Sequence, residues 1–479
     1  MTAPARVGVD PRRRFRQVHF VGIGGTGMCG IAEVMLNLGH EISGSDQQAS
    51  SVTERLEKLG ARIHIGHHAD NIGDAKVVVS SSAISGRNPE IQAARRRRVP
   101  VVPRAEMLGE LMRFRDGIAV AGTHGKTTTT SLVAAVLAEG GMDPTFVIGG
   151  LLNSLGSNAR LGSGRFLVAE ADESDGSFLL LQPTIAVVTN IDNDHLETYR
   201  NKFARLEKAF DQFLHHLPFY GLAVLCIDDE PTRKLAAEIS RTVVTYGLAE
   251  DADIRAVDVV QEGPKMRFAV RLPGRDEDLK ITLNLPGVHN VRNALAALAI
   301  GWELGIDDDA MQRALAGFQG IGRRFNVHGD IEVGAARPLF MDDYGHHPTE
   351  LEATLQAARD GWPDRRLVAV FQPHRYTRTR DLLDDFARVL SGVDILILAE
   401  VYAAGEKPLD GADGRALARA IRARGKVDPI FVAHPRDCRE VLPGLVTDND
   451  LVMLLGAGDI GAVAAELYAH GFEGNTDAH

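Results

Sequence analysis

The feature that most constrains this chain is Ala121-Gly122-Thr123-His124-Gly125-Lys126-Thr127-Thr128-Thr129. It stands directly behind an apolar run, Ile118-Ala119-Val120, and ahead of a helix-like segment, Ser131 to Glu139, that stops at Gly140-Gly141. The order is strand, glycine loop, helix, which commits the middle of the chain to a parallel α/β sheet. Such a loop turns backbone N–H groups toward phosphate oxygens, and the helix N-terminus adds a favourable dipole. Gly122, Thr123, His124, Gly125, Lys126, Thr127 and Thr128 are therefore candidate ATP ligands. Lys126 can reach the β/γ-phosphates and the Thr127 hydroxyl can bind Mg²⁺. The loop is shorter than the usual G-x-x-x-x-G-K-[ST], because Val120 stands where the first glycine belongs. The plain alternative is a surface lysine in a fortuitous turn, and four consecutive threonines argue against it.

Two further sections flank this one. The first, 1–114, opens with the strand Gln17–Val21 and the turn Gly22-Ile23-Gly24-Gly25-Thr26-Gly27-Met28, then a helix from about Met28 to Leu38. Gly22, Gly24 and Gly27 fit G-x-G-x-x-G between strand and helix, and Asp46 lies 24 residues beyond Gly22, near where an acid grips a ribose. The expected fold is Rossmann-like, with further strands at Val77–Val79 and around Val101-Val102. NAD is the simplest ligand; any pyrophosphate, including that of a UDP-sugar, suits the same turn.

The middle section, 115–324, continues with a buried strand, Phe166–Ala169, that ends at Glu170-Ala171-Asp172-Glu173-Ser174-Asp175. Carboxylates at such a strand end suit Mg²⁺ beside a phosphate loop. Glu170 is the candidate, whereas Glu173 and Asp175 read equally well as solvated loop acids. The strand Ile185–Thr189 leads to His195, a possible metal or phosphate ligand that could equally be structural. Asn290 and Asn293, at the start of an alanine-rich helix, read as caps. Gly320-Ile321-Gly322-Arg323-Arg324-Phe325 suits a hinge that swings arginines toward a triphosphate, or simply a pair of surface arginines.

In the third section, 325–479, apolar runs at Leu367–Phe371, Ile395–Ala399, Ile430–Val432 and Leu451–Leu455 alternate with helical segments, a second Rossmann-like pattern. Two strand ends carry chemistry: Asp342-Asp343-Tyr344-Gly345-His346-His347-Pro348, and Phe371 to Arg380 with His374, Arg375 and Arg378. Arginine forks there fit carboxylates and phosphates. The whole is thus an α/β protein of three domains: N-terminal Rossmann-like, central P-loop ATPase-like parallel sheet, C-terminal Rossmann-like.

Composition bounds what such a chain can bind. A net charge of −11 argues against a general nucleic-acid binder; Arg95-Arg96-Arg97-Arg98 is expected to be a solvated helix end. No apolar stretch approaches the ~18 residues of a spanning helix, so no membrane insertion is expected. Three widely spaced cysteines suggest no disulfide framework and a cytoplasmic setting. No signal-like apolar region follows the N-terminal arginines, and the residues after Gly471 are expected to fray.

The glycine turns, the acid cluster, Gly322-Arg323-Arg324-Phe325 and the two third-section strand ends together resemble the Mur ligases of bacterial cell-wall synthesis, over essentially the whole chain. Asp342–Pro348 and Gln372–Arg378 are similar to segments of the L-alanine-adding branch. The resemblance implies ATP and Mg²⁺ as cofactors, and UDP-N-acetylmuramate and L-alanine as partners. It implies an acyl phosphate formed by attack of the lactyl carboxylate on the γ-phosphate of ATP. It places Thr127, Glu170 and His195 on Mg²⁺, Lys126 on the γ-phosphate, and His289, Asn290 and Asn293 near adenine. Arg324 and Asp343 would complete the ATP site. Tyr344, His346, His374, Arg375 and Arg378 would recognise alanine. Gly22, Gly24, Gly25, Thr26, Gly27, Asp46, His68 and Ser82 would meet the UDP-sugar. A monomer or homodimer is expected. A tripeptide-recycling ligase acting on the same sugar nucleotide, an NAD-dependent oxidoreductase and a non-catalytic nucleotide-binding regulator are the alternatives.

Overall fold

Short apolar runs separated by glycine turns and amphipathic segments decide the layers of this protein. The computed structural model describes residues 15–81, 83–113, 115–153 and 157–471. The first sheet is parallel and contains β1 (Gln17–Val21), β2 (Glu41–Asp46), β3 (Arg62–Ile65), β4 (Val77–Ser80) and β5 (Val101–Pro103), in the order β3-β2-β1-β4-β5. Strand order reverses between β1 and β4, and the glycine turn leaves the C-terminal end of β1. In such sheets that reversal is where ligands bind. Period-two alternation sorts the side chains: Val77 and Val79 enter one core cluster and Val78 another.

In the second sheet β6 (Asp116–Ala121) is flanked by β9 (Phe166–Glu170) and β10 (Ile185–Val188), all parallel. Beyond β9 lie β7 (Thr145–Leu152) and then β8 (Ser157–Arg160), which runs antiparallel to β7. Beyond β10 lie β11 (Leu222–Cys226), β12 (Thr242–Gly247) and β13 (Ile254–Glu262), joined to β12 through Tyr246↔Ile254. β14 (Lys265–Arg271) and β15 (Leu279–Leu283) follow along the chain. The helix after the phosphate loop spans Lys126–Glu139, five residues longer at its start than its apolar pattern indicates. Its threonines explain the extension. Thr130 Oγ1 donates to Lys126 O and Ser131 Oγ to Thr127 O, each at 2.8 Å, so residues that disfavour helices spend their hydroxyls on the helix itself.

The third sheet has the order β16-β17-β21-β18-β19-β20, with β16 (Asn326–Asp330), β17 (Leu339–Asp343), β18 (Arg366–Phe371), β19 (Ile395–Ala399), β20 (Ile430–Val432) and β21 (Asp450–Leu455). The stretch β20-β19-β18-β21 keeps the Rossmann-like order 3-2-1-4; β17 and the antiparallel β16 are added beyond β21. Alternation is again complete. Leu367, Ala369 and Phe371 pack on one face, Val368 and Val370 on the other.

By contacts the chain forms two compact units. One holds the first sheet and β6 to β12 of the second (Met1–Ala256, with Val270–Leu279 and Arg292–Leu315); the other is Val257–Ala269, Lys280–Val291 and Ala316–His479. Within the first unit both sheets share one core, in which Ile31, Val34 and Met35 of the helix Thr26–Asn37 meet Val147 and Ala159 of β7 and β8. The boundary expected near residue 114 therefore lies inside one compact unit. Arg95 to Arg98 are exposed at the end of the helix Pro89–Arg96, as a solvated helix end requires. All three cysteines are buried and in no disulfide, and no helix among the described residues is long and apolar enough to cross a membrane. The expectation of fraying after Gly471 falls outside the described residues.

Candidate active site

The C-terminal ends of β6, β9 and β10 lie side by side, so three loops converge. Gly122 (φ +138°) and Gly125 (φ +82°) hold the phosphate loop in left-handed conformations. A Cβ on Gly122 would collide with Thr189, and one on Gly125 with Asn293 Oδ1. The β10 end braces the loop: Asn190 Oδ1 accepts from His124 N at 2.9 Å, Thr189 Oγ1 donates to His124 O at 2.6 Å, and Asp192 Oδ2 lies 3.0 Å from His124 Nε2. These braces carry no motif of their own; their one signal in sequence is their place after an apolar run. Asn293, expected as a cap, accepts from Thr129 Oγ1 at 3.1 Å and so adjoins the loop directly.

Lys126 Nζ donates to Gly122 O (2.7 Å), Thr123 O (3.1 Å) and Glu173 Oε2 (2.8 Å). Glu173, weighed above as a solvated loop acid, is only 1 % exposed. Tyr199 donates its hydroxyl to Glu173 O, which draws this loop inward. Burial pushes the Glu173 carboxyl up to about 7 against the pull of Lys126. The Lys126 ammonium is desolvated too, but Glu173, Asp172 and Glu170 hold it charged. Protonation of Glu173, rather than loss of the Lys126 charge, is thus what loosens the pair. Glu170 accepts from Gly149 N–H through Oε1 at 2.7 Å. His195 adopts φ +56°, with Nε2 3.4 Å from Asp194 Oδ2. The Thr127 hydroxyl takes no partner among the described residues and, with the Glu170 carboxylate, offers the oxygen donors that Mg²⁺ prefers.

At the first sheet, the turn after β1 is closed by Ser45 O, which accepts from Gly22 N (2.8 Å) and Ile23 N (3.0 Å). Asp46 Oδ2 accepts from Gly24 N at 2.9 Å, so the acid expected on a ribose also caps the turn. Gly25 is the N-cap of the helix Thr26–Asn37 and makes no side-chain cap bond. His68 is 72 % exposed beside Asp70. Its loop is held from beneath by Glu90, fully buried, which accepts from Ser45 Oγ and Asn71 Nδ2, each at 2.6 Å. Burial alone would raise the Glu90 carboxyl; the His19 ring 3.8 Å away and hydrogen bonds from Ser45 and Asn71 outweigh it and hold the group at about 2. Ser82 lies outside the described residues.

In the second unit the ends of β17, β18 and β21 gather Tyr344, His346, His374, Arg375 and Arg378. His346 and His374 stand ring to ring at 5.6 Å, and Arg378 Nη1 lies 3.5 Å from His374 Nδ1. Burial, with Arg378 beside both rings, depresses His346 to about 3 and His374 to about 4, so both are neutral. Arg323 and Arg324 each place their guanidinium 5.0 Å from the Tyr344 ring centre. Asp343 accepts from Phe325 N (2.8 Å) and Gly345 N (2.7 Å), which pins the Gly320–Phe325 segment to β17; burial raises its carboxyl to about 6. Asn290, within the first turn of the helix Val288–Glu303, donates Nδ2 back to Pro286 O at 2.7 Å. Gly287 (φ +92°) has no room for a Cβ beside the His289 ring.

Comparison with known proteins identifies the family. Residues 17–116 match the description "Mur ligase family, catalytic domain", 120–301 the "Mur ligase middle domain" and 323–458 the "Mur ligase, glutamate ligase domain". The chain is 62 % identical to a UDP-N-acetylmuramate–L-alanine ligase of Xanthomonas campestris pv. campestris (strain B100), over 97 % of this chain and 98 % of that one. It is 60 % identical to the same ligase of Stenotrophomonas maltophilia (strain R551-3), over 98 % of each. The crystal structure of a UDP-N-acetylmuramate–alanine ligase from Thermotoga maritima superposes with a TM-score of 0.80 at 32 % identity, covering 95 % of this chain and 98 % of that one. The chain belongs to the Mur ligase family.

Proposed function

We propose that this protein is an ATP-dependent ligase that joins the lactyl carboxylate of UDP-N-acetylmuramate to the amine of L-alanine through an acyl phosphate. The 62 % identity to such a ligase over 97 % of the chain carries the reading. The geometry fits it. The reaction must bring a carboxylate against a triphosphate, and the β6 and β9 ends hold a lysine among acids beside a glycine loop. Domains are assigned as 1–114 for the UDP-sugar, 115–324 for ATP and 325–479 for the amino acid. Buried cysteines outside any disulfide accord with a cytoplasmic enzyme.

Lys126 moves from Glu173 to the γ-phosphate and stabilises the charge that develops during transfer. Gly122, Thr123, His124, Gly125, Thr127 and Thr128 cradle the phosphates through backbone N–H groups, and Asn293 steadies the loop from behind. Thr127 and Glu170 would hold Mg²⁺, with His195 at the neighbouring loop; the ion, when bound, neutralises phosphate oxygens. Arg324 and Asp343 act on the ATP side, and His289 and Asn290 near adenine. Arg375 or Arg378 pairs with the alanine carboxylate, while Tyr344 and the neutral rings of His346 and His374 shape a small cavity around its methyl group.

The test is phosphate release from ATP and Mg²⁺ with the two substrates added singly and together. Release that requires both, with a product heavier by one alanyl residue, and that stops on chelation of Mg²⁺, is expected. Turnover with a tripeptide but not with alanine would reassign the protein to recycling. Silence with every substrate would refute the ligase reading.

A further inference from the structure

Arg323 stands in the segment Gly320–Phe325 with φ +63°, a left-handed conformation that residues other than glycine rarely take. Surroundings that hold a long side chain in such a conformation fix where its far end lies. Three contacts show the place. The guanidinium lies 5.0 Å from the centre of the Tyr344 ring, and Arg323 O accepts from Tyr344 N at 2.7 Å. Its Nη2 donates to Gly456 O, in the turn that leaves β21. The same group lies across the first turn of the helix Ile460–His470, where a Cβ on Gly461 would fall on the guanidinium carbon. Gly461 is thus the position that leaves the group room. A cation at the start of a helix is electrostatically disfavoured, so the Tyr344 ring and the Gly456 carbonyl hold it there, not the helix dipole.

The turn from Gly456 to Asp459 hands this contact on. A Cβ on Gly456 would strike Gln372 O, and one on Gly458 would strike Gln372 Oε1 and Tyr402. Gln372 Oε1 accepts from Ile460 N at 3.0 Å, and the Tyr402 ring stacks on His374 at 5.5 Å. Arg323 therefore braces two sides of one pocket: Tyr344 directly, and His374 through the turn and Tyr402.

We propose that Arg323 is a positioning residue that sets the size of the amino-acid pocket, and with it the selectivity for a methyl side chain, without touching the substrate. This rests on the ligase reading, which puts Tyr344, His346 and His374 around the methyl group of alanine.

The experiment is steady-state phosphate release by the full chain with UDP-N-acetylmuramate present and ATP, L-alanine and L-2-aminobutyrate varied in turn. The proteins are wild type, Arg323→Ala, Arg323→Lys, Gly461→Ala and the double variant Arg323→Ala/Gly461→Ala. L-2-Aminobutyrate is larger by one methylene, a difference worth about ten- to two-hundredfold in a fitted pocket. Arg323→Ala is expected to raise KM for L-alanine about tenfold and to cut the preference for L-alanine at least about fivefold, with KM for ATP within about twofold of wild type. Gly461→Ala does the same, because its Cβ displaces the guanidinium, even though alanine favours a helix more than glycine does. The double variant is no worse than Arg323→Ala, since both changes act through one group. Arg323→Lys recovers part of the loss, because it keeps a cation for the ring and a donor for the carbonyl. A higher KM for ATP with alanine kinetics unchanged overturns the proposal and sends Arg323 to the triphosphate. A lower unfolding midpoint with both KM values and the preference unchanged also overturns it, leaving Arg323 a strut. So do losses that multiply in the double variant. A wild type that releases no phosphate on addition of L-alanine overturns the ligase reading together with the proposal.

Discussion

Glu173→Gln is the perturbation whose outcome can be worked furthest from the structure. Burial raises the Glu173 carboxyl from an ordinary 4.5 to about 7, despite the Lys126 ammonium at 2.8 Å. Between these values the native protein holds a proton that the unfolded chain has released. Stability from that proton is complete below 4.5 and is lost as pH rises through 7. At about 1.4 kcal/mol per pH unit, the full loss is about 3 kcal/mol. Glutamine has no such term. The unfolding free energy of Glu173→Gln minus that of wild type should therefore rise by about 3 kcal/mol between pH 4.5 and pH 8. Taking the difference removes the other titrations. Asp343, raised to about 6, loses stability in the same direction, whereas the depressed His346 and His374 gain it as pH rises. Urea unfolding read by fluorescence in a Trp362→Phe background is the assay, because Trp302 then reports on the unit that contains Glu173. A difference flat to within about 0.5 kcal/mol over that span would show that Glu173 remains ionised beside Lys126, and would refute the reasoning.

Lys126→Ala should lower phosphate release by about a hundred- to a thousandfold while circular dichroism stays native, since one transition-state donor is lost. Gly125→Ala forces a left-handed residue, at about 1–2 kcal/mol, and presses on Asn293 Oδ1; ATP affinity and the unfolding midpoint should fall together. Phe210→Ala empties a fully buried site 5.2 Å from Phe178 and should cost about 3–5 kcal/mol in unfolding free energy with no change in KM for either substrate. Arg378→Ala should raise KM for L-alanine at least tenfold, as loss of a charge-assisted bond implies, and leave KM for ATP unchanged in steady-state assays.

The two kinds of reading divide along physical lines. Sheet strands were legible wherever an apolar run met a glycine turn, because burial on both faces demands such runs and left-handed turns demand glycine. The segments after β6, β9 and β18 stood out because each directly follows such an apolar run, with a glycine turn after β6 alone. The edge strand β16, with the pattern Asn326-Val327-His328-Gly329-Asp330, did not, because its apolar content is low and pairing with β17 supplies what composition lacks.

Side-chain fate was another matter. Asp172, Glu173 and Asp175 have the composition of a solvated loop. The bond from Tyr199 to Glu173 O, a partner 26 residues away, is what buries one of them against Lys126. Asn290 and Asn293 looked alike as helix caps; Asn290 donates back to Pro286 O, while Asn293 accepts from Thr129 and so adjoins the phosphate loop. The sequence by itself determined the parallel α/β layers, the phosphate loop and the strand ends that carry chemistry, because these follow from local periodicity and backbone sterics. The tertiary structure alone decided that Glu173 is an interior counter-ion and that Arg323 lies over Gly461, because burial and pairing between distant residues depend on how sheets and helices pack, which no local pattern encodes.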